Sequence, residues 1–277
     1  MERSILQVLT YFSPFSYPPT EQEVHMFISK KIKSASLSHY LKILEESNKI
    51  TSKKMIGETR YALSINVFRG ASSKLKYGKS LFAEAQSYLQ MLRFIPSVKY
   101  LGISGSLSMK YISGESDIDI FVITAPQTIW QTRFALLVFK HLLKVFIPHI
   151  GKKLCFNLFF AEDGLCLRKN KQTEYIGHEL LQLKTIINKQ LTYESLKSEN
   201  RWIVKFFPNV HINTDREKAS IKQSQKSYSE SIIENMAKKV QKWWLKHKKL
   251  KFDDFGAQVW FIQDDFELKM HKKDAES

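Results

Sequence analysis

The residues best suited to chemistry lie in the segment 100–124, which reads YLGISGSLSMKYISGESDIDIFVIT. One apolar stretch leads into Gly105 and Ser106, and a second contains Asp117 and Asp119. Because residues two apart on a strand point to the same face, the spacing predicts that the two carboxylates project together. Neighbouring carboxylates repel unless a cation lies between them, and Mg²⁺ prefers such oxygen ligands. The pair therefore predicts a metal site rather than a solvated surface turn, since two unpartnered charges heading an apolar strand are costly.

Gly105 and Ser106 are suited to hold phosphate groups. Glycine lets the backbone approach a phosphate closely. Serine adds a hydroxyl and an amide at the start of a short helical segment, where the helix dipole favours anions. Arg133, on the helix expected after the acidic strand, has two interpretations: it reaches a phosphate, or it is buried as an ion-pair partner. The predicted nucleotide-binding residues are Gly105, Ser106 and Arg133.

Gly105-Ser106, ten intervening residues and then Asp-Ile-Asp-Ile resemble the signature of the DNA polymerase β-like nucleotidyltransferase superfamily. The resemblance implies an α/β (α+β) catalytic domain with a mixed sheet and flanking helices. It implies transfer of a nucleoside monophosphate from an NTP such as ATP to an acceptor. It also implies Mg²⁺, with Mn²⁺ as the alternative, and Asp117 and Asp119 as catalytic residues and metal ligands.

Segments outside this motif carry a second resemblance. They resemble an uncharacterised bacterial family in which a nucleotidyltransferase domain follows a winged-helix-like N-terminal region. The segments are YFSPFSYPPTEQEV, SGSLSMKY, SDIDIF, KLCFNLFF, HELLQLK and NRWIVKFFPN. The superfamily does not imply one acceptor, because its members modify nucleic-acid ends, small molecules or proteins.

The chain departs from the superfamily at the third carboxylate, which a later strand often supplies. The corresponding strand is expected at 153–160, and the polar residue projecting from it is Asn157. An amide oxygen can ligate Mg²⁺, so Asn157 is a predicted metal ligand, but an amide cannot act as a base. Glu162, Asp163 and Glu179 are candidate bases, although Asp163 is expected in a hairpin turn and Glu179 as a solvated or ion-paired helix residue. The remaining interpretation is that the domain binds nucleotide without turnover.

The first 65 residues predict short helices followed by a hairpin. Thr20 and Glu23 form a capping box at the start of one helix, and an apolar stripe predicts another at 36–47. Stretches at 50–55 and 60–65 flank a turn, as in the wing of a winged helix. Either the helix 36–47 reads a DNA major groove, or the domain is a docking or packing module.

The remaining pattern alternates strands and helices. Strands are expected at 98–103 and 117–124, and a hairpin joins 154–161 to 165–168. Helices are expected at about 127–146, 173–187 and 192–206, a linker at 209–228, and a terminal strand or hairpin beyond Val259. The predicted divisions are a winged-helix-like domain at 1–68, a linking helix at 69–96, a nucleotidyltransferase core at 97–170 and a mostly helical C-terminal region at 171–277.

The chain is strongly basic, with 43 Lys plus Arg against 27 Asp plus Glu and a formal net charge of +16. Such a charge attracts polyanions without choosing among them. Its densest part is the helix 230–251, which also carries an apolar stripe formed by Ile233, Met236, Val240, Trp243 and Trp244. The stripe is expected to face the core and leave a solvated lysine face. The alternatives are a nucleic-acid backbone track and a membrane-surface helix.

Composition bounds the class of protein. With 277 residues, 43% of them hydrophobic, the chain is long enough for a substantial core and too apolar for a disordered protein. Two cysteines cannot build a disulfide framework, so Cys155 and Cys166 are expected as buried reduced thiols. We see no secretory signal and no apolar run long enough for a membrane span, and we therefore expect a cytoplasmic protein.

These features predict a Mg²⁺-dependent nucleotidyltransferase whose acceptor hydroxyl is unidentified. The alternative is a catalytically inactive regulator that binds nucleotide or nucleic acid. Nucleic acid would then bind through the winged-helix-like domain and the lysine-rich helix 230–251.

Overall fold

The structure, a computed structural model, describes residues 1–114, 116–212 and 231–261. Within these ranges the helices are α1 Glu2–Phe12, α2 Glu21–Phe27, α3 Ser34–Glu46, α4 Ala71–Leu89, α5 Gly105–Ser108, α6 Ile129–Phe146, α7 Pro148–Gly151, α8 Glu174–Gln182, α9 Thr192–Glu199, α10 Ile203–Phe206 and α11 Ile232–His247. The strands are β1 Thr51–Met55, β2 Glu58–Ala62, β3 Val98–Ile103, β4 Ile118–Thr124, β5 Leu154–Ala161, β6 Lys184–Asn188, β7 Asp253–Asp254 and β8 Gln258–Trp260.

The protein has a mixed α/β fold built on a six-stranded mixed sheet. Strands β1 and β2 form a separate hairpin, and the large sheet has the order β6-β3-β4-β5-β8-β7. Strands β4 and β5 are parallel, because α6 and α7 carry the chain back across the sheet between them. The other neighbours in the sheet are antiparallel. The α/β class and the mixed sheet expected from the sequence are confirmed.

The N-terminal elements follow the sequence pattern closely. Thr20 and Glu23 form a complete capping box at the start of α2. The hairpin β1–β2 turns at Ile56 and Gly57, which both have positive φ, the conformation that two-residue hairpin turns require. The expected capping box and hairpin are therefore confirmed.

One core joins the N-terminal helices to a face of the large sheet. Ile5 and Phe12 of α1 belong to the same cluster of buried residues as Phe121, Ile123 and Phe160 of the central strands. The link passes through α8, where the ring of His178 stacks on Tyr11 at 3.9 Å and on Phe27 at 4.1 Å between ring centroids. The first 62 residues therefore share one core with α8 and with this face of the sheet.

The other face of the sheet carries the second core. Ile118, Ile120 and Val122 of β4 are buried there with Leu136 of α6 and Leu245 of α11. Side chains alternate along a strand, so the odd-numbered positions of β4, including Asp119, face the first core. Asp119 thus projects toward α8 and the N-terminal helices.

Two expectations for the middle of the chain are wrong. Residues 165–168 form no strand, since the side chain of Asn200 accepts from the Leu167 amide at 2.9 Å and donates to the Leu165 carbonyl at 2.8 Å, which replaces a strand partner. The helix expected at 173–187 ends at Gln182 and is followed by β6, which pairs with β3. The terminal strand or hairpin expected from Val259 onward begins with β8, which pairs with β5 and β7, and the rest of that segment lies outside the described residues.

The orientation expected for the lysine-rich helix is also wrong. In α11 the buried residues are Glu234, Gln241 and Leu245, whereas the apolar stripe is exposed. Glu234 accepts hydrogen bonds from the backbone amides of Trp130 and Gln131 at 2.9 and 2.8 Å. These charge-assisted bonds to the free amides at the start of α6 fix the polar side of α11 against α6.

Three further expectations concern the cysteines, membrane-spanning helices and the linker. Both cysteines are free, as expected, but Cys155 is half-buried and Cys166 is exposed, so the expected burial is wrong. No helix in the described ranges has the length and apolarity needed to cross a bilayer. Most of the linker expected at 209–228 lies outside the described residues.

Candidate active site

The glycine-serine corner and the acidic strand lie in direct contact. Strand β3 ends at Ile103, and α5 begins at Gly105 with a φ of +60°. The Ser104 amide donates to the carbonyl of Asp119 at 2.9 Å, which holds the corner beside β4. A Cβ atom on Gly105 would lie 2.6 Å from Oδ2 of Asp119. Glycine is therefore required at this position by both the backbone conformation and the adjacent carboxylate.

The carboxylate of Asp119 is also held from the neighbouring strand. Asp119 pairs with Cys155 of β5, and the register shifts one residue later so that Asn157 is the extra residue of a bulge. Asn157 Nδ2 donates to Oδ1 of Asp119 at 2.5 Å, and Cys155 Sγ donates to Oδ1 of Asn157 at 2.7 Å. In this arrangement the amide nitrogen faces Asp119, and the predicted metal-ligand role of Asn157 requires the amide to turn over.

Glu179 brings a second carboxylate to the same corner. It lies in the second turn of α8, and its Oε2 accepts the Gly105 amide at 3.3 Å. Its neighbour His178 anchors α8 between aromatic rings of the N-terminal helices. The sequence suggested Glu179 only as a lesser candidate, because 74 residues separate it from Gly105.

The electrostatics of the site favour binding a cation or a proton. Burial and the nearby charge of Asp117 raise the pKa of Asp119 to about 6, against the opposing hydrogen bond from Asn157. Burial, followed by the charge of Asp119, raises the pKa of Glu179 to about 7, although the Gly105 amide opposes the shift. Burial and Asp119 likewise raise the pKa of the Cys155 thiol. Both carboxyl groups therefore bind a proton more readily than exposed carboxyl groups do.

The other predicted residues of the motif lie beside this cluster. Asp117 is exposed and immediately precedes β4, and it is close enough to Asp119 to affect its ionisation. Ser106 is half-buried in the first turn of α5. The structure therefore brings Gly105, Ser106, Asp117, Asp119 and Asn157 together.

Arg133 has different surroundings. Its side chain is buried between α6 and α11, where Nη1 donates to Gln241 at 2.6 Å and the guanidinium lies 4.2 Å from the ring centroid of Phe261. Burial lowers its pKa to about 10. Arg133 is buried, as one of its two interpretations expected, but its hydrogen-bond partner is the amide of Gln241 and not the carboxylate of an ion pair.

Of the candidate bases, the structure places Glu179 closest to the motif. Glu162 follows the far end of β5, seven residues beyond Cys155, which corresponds to about 23 Å along a strand. Its Oε1 accepts from the hydroxyl of Thr192 at 3.2 Å. Asp163 is exposed in the adjacent turn, as its expected turn role requires.

The cluster fits Mg²⁺ better than a metal that needs a complete protein cage. No group of three or more His, Cys, Asp or Glu side chains in the described ranges is arranged to hold a metal ion. Mg²⁺ is commonly held by one or two carboxylates, with substrate phosphates and water completing its coordination. Asp117 and Asp119 would provide the protein ligands of such a site.

No protein-family model matches the chain, and no curated protein matches it significantly. The chemistry of the site must therefore be argued from its own geometry.

Proposed function

We propose that the protein is a Mg²⁺-dependent nucleotidyltransferase of the DNA polymerase β-like type. The observation that carries the proposal is the contact between the glycine-serine corner and the acidic strand, where a Cβ on Gly105 would lie 2.6 Å from Asp119. A phosphate bound by the corner would then lie close enough to a cation bound by Asp119 to serve as one of its ligands. Separation of these two elements would have contradicted the proposal.

The residues divide the work of the reaction between them. Gly105 and Ser106 would bind the triphosphate through the Ser106 amide and hydroxyl and, once Glu179 releases it, the Gly105 amide. Asp117 and Asp119 would hold the metal. Bound Mg²⁺ would neutralise charge on the phosphates and orient the pyrophosphate leaving group. An acceptor oxygen attacks the α-phosphorus, and the bond from that phosphorus to pyrophosphate breaks.

Glu179 is the proposed general base. With the pKa of its carboxyl near 7, a large fraction is ionised at neutral pH and can take the proton of the acceptor hydroxyl. Asn157, at the position expected for a third carboxylate, would instead hold Asp119 in place through its hydrogen bond. The N-terminal helices would contribute by fixing α8, which carries Glu179.

Titration calorimetry of the full chain with each NTP and Mg²⁺ tests the binding part of the proposal. We expect wild-type protein to bind an NTP, and Asp119→Asn to lose at least about tenfold in affinity because the carboxylate that holds the metal is removed. Asp163→Asn is the matched control, since it removes an exposed carboxylate in the turn after β5. Absence of binding by the wild type, or equal binding by Asp119→Asn and Asp163→Asn, would reject the proposal.

Transfer is tested by incubating the protein with α-labelled NTP, Mg²⁺ and cell extract and identifying the labelled molecule. Glu179→Gln should retain nucleotide binding and lower the transfer rate by about a hundredfold or more, as expected for removal of a general base. If Glu179 only competes with phosphate for the Gly105 amide, the result should be the opposite. Glu179→Gln should then bind nucleotide more tightly and keep the wild-type transfer rate. Nucleotide binding without any labelled product would favour the inactive regulator.

A further inference from the structure

The outer side of α11 presents large apolar side chains to solvent. Trp243 is 67% exposed, and exposed neighbours occupy the same side of the helix at spacings of three and four residues. The exposed apolar residues of this helix are Ile232, Ile233, Met236, Val240, Trp243 and Trp244. We call them the α11 stripe. The opposite side of the helix is committed to α6 through Glu234 and Gln241, so the stripe cannot turn inward without breaking those bonds.

Helix α6, which contacts α11, has an apolar stripe of its own. Its exposed members recur at helical spacing on the side away from the sheet, and Phe146 at its end is 76% exposed. They are Phe134, Val138, Leu142, Val145 and Phe146. Soluble monomers rarely expose many large apolar side chains in one region unless they bind something there.

Lysine side chains border the α11 stripe. Lys239 lies three residues after Met236 and four before Trp243, and Lys246 lies three after Trp243, so both are surface neighbours of the stripe. Both lysines are exposed, as are Lys248, Lys249 and Lys251 beyond them. Between Glu234 and Asp253 the sequence has no acidic residue. The helix thus combines exposed tryptophan and aliphatic side chains with a positive border.

We propose that the α11 stripe and the lysines beside it form a surface that binds an anionic lipid bilayer. The α11 stripe would enter the boundary between headgroups and acyl chains, where tryptophan is favoured. Lys239 and Lys246 would extend their methylene chains along the apolar boundary and place their ammonium groups at the lipid phosphates. The net charge of +16 on the whole chain adds a long-range attraction to an anionic membrane.

Two other occupants fit these residues less well. A nucleic-acid backbone would neutralise the lysines but would leave the isoleucine, valine and methionine side chains in water. A symmetric second copy would bury the apolar side chains but would bring two lysine borders together, and facing like charges oppose association. A bilayer with anionic headgroups satisfies both parts of the surface.

The proposal is tested with the full chain and vesicles of two compositions, phosphatidylcholine alone and phosphatidylcholine mixed with phosphatidylglycerol. We expect co-sedimentation with the mixed vesicles and much weaker binding to the neutral ones. Tryptophan emission should shift to shorter wavelength on binding. Of the five tryptophans, Trp130, Trp202 and Trp260 are buried, so the shift reports on Trp243 and Trp244.

Matched variants separate the apolar and the charged parts of the surface. Trp243→Glu should weaken vesicle binding at least about tenfold, because a charge is placed where apolar contact is needed. Phe94→Glu is its control, since Phe94 is 76% exposed on another part of the protein. Lys239→Ala/Lys246→Ala should weaken vesicle binding about thirtyfold. Each lysine near an anionic surface contributes about 1 kcal/mol, and 1.4 kcal/mol corresponds to about a tenfold change in affinity. The exposed hairpin lysines serve as its control in Lys53→Ala/Lys54→Ala.

Each contrary outcome overturns the proposal. No co-sedimentation with anionic vesicles at low salt would do so, as would equal losses in the variants and their controls. A dimer in sedimentation equilibrium that Trp243→Glu converts to monomer, without vesicle binding, would assign the surface to a second copy. Salt-sensitive RNA binding lost in the Lys239/Lys246 variant and retained in Trp243→Glu would assign it to nucleic acid.

Discussion

The carboxylates of Glu179 and Glu234 each accept backbone amides at the start of another helix, and their surroundings differ. Glu234 accepts two backbone amides at the start of α6, an 18-residue helix, at 2.9 and 2.8 Å. Glu179 accepts one amide at 3.3 Å at the start of α5, a helix of four residues, and it lies near the charge of Asp119. The first carboxylate is compensated by the protein, whereas the second keeps affinity for a proton or a cation.

This difference distinguishes the carboxylate that joins two helices from the carboxylate that we propose as the general base. A long helix offers several free amides and a dipole that stabilises an anion at its start. Burial raises the pKa of Glu179, the charge of Asp119 adds to the shift, and the single hydrogen bond from the Gly105 amide opposes it only in part. Acids whose pKa values are strongly raised by burial and by neighbouring charges are often found at catalytic sites. Replacement of Glu234 should therefore destabilise the protein, whereas replacement of Glu179 should stabilise it at high pH.

Removal of Glu234 should have the largest effect. Glu234→Ala leaves the Trp130 and Gln131 amides without their carboxylate, and the free energy of unfolding should fall by about 4 kcal/mol. Urea denaturation followed by circular dichroism measures it. Glu46→Ala, which removes an exposed partner of Lys42, is the control and should change stability by less than about 0.5 kcal/mol. A loss below about 1 kcal/mol for Glu234→Ala would show that the two hydrogen bonds accepted by Glu234 contribute little to stability.

Gly105→Ala tests how tightly the corner and Asp119 fit. The new Cβ meets the Asp119 carboxylate and the residue keeps a positive φ, so we expect a loss of about 3 kcal/mol in unfolding free energy together with loss of nucleotide binding. Gly57→Ala is the matched control, because Gly57 also has a positive φ but nothing lies within 4 Å of its Cβ position. It should lose only about 1 kcal/mol. Equal losses would show that the contact with Asp119 does not constrain Gly105.

Replacement of Glu179 should stabilise the protein at high pH. The folded pKa of about 7 lies above the ordinary value near 4.3, so the folded state binds the extra proton and the stability from this group is lost as pH rises toward 7. Glu179→Gln should therefore gain about 3 kcal/mol in unfolding free energy relative to wild type between pH 4 and pH 8. Urea titrations at both pH values measure the gain. A pH-independent difference would show that Glu179 is compensated as Glu234 is.

His178, which anchors α8, should make the free energy of unfolding depend on pH in the opposite direction to Glu179. Burial between aromatic rings lowers its pKa to about 3, below the ordinary value near 6.5, so its contribution to stability is lost as pH falls through that window. Wild-type protein should lose about 2 kcal/mol from this group between pH 7.5 and pH 5. His178→Phe should remove that part of the slope. Subtracting the pH dependence of stability in His178→Phe from that of the wild type isolates the contribution of His178 from the opposing contributions of Asp119 and Glu179. Parallel curves for the two proteins would contradict the prediction.

Local pattern predicted a large part of the fold. The capping box at Thr20, the β1–β2 hairpin and the alternation of β4 follow from short-range rules of capping, turn geometry and strand periodicity. The spacing of Gly105 and Asp119 similarly predicted a shared site, because a strand, a tight turn and a returning strand bring such residues together. Strand β6 was missed because its five residues continue a helical pattern and pair only with the distant β3.

The surroundings of the site depended on distant residues. Glu179 reaches Gly105 across 74 positions, and Asn200 replaces the strand partner expected for residues 165–168. Hydrophobic periodicity predicted the wrong buried face for α11, because it counts apolar side chains and does not count hydrogen bonds to free helix amides. The carboxylate of Glu234 is the clearest example, since its partners lie 103 and 104 residues away.

The sequence alone determined the α/β class, the capped helix and hairpin at the N-terminus, and the order of glycine-serine corner and acidic strand. These features depend on interactions between residues that are neighbours along the chain or along adjacent strands. Only the tertiary structure decided that Glu179 faces the corner, that Arg133 is buried beneath α11, and that tryptophans of α11 face solvent. Those outcomes depend on which buried polar groups find partners across the fold, and the free energy of that pairing is absent from any local pattern.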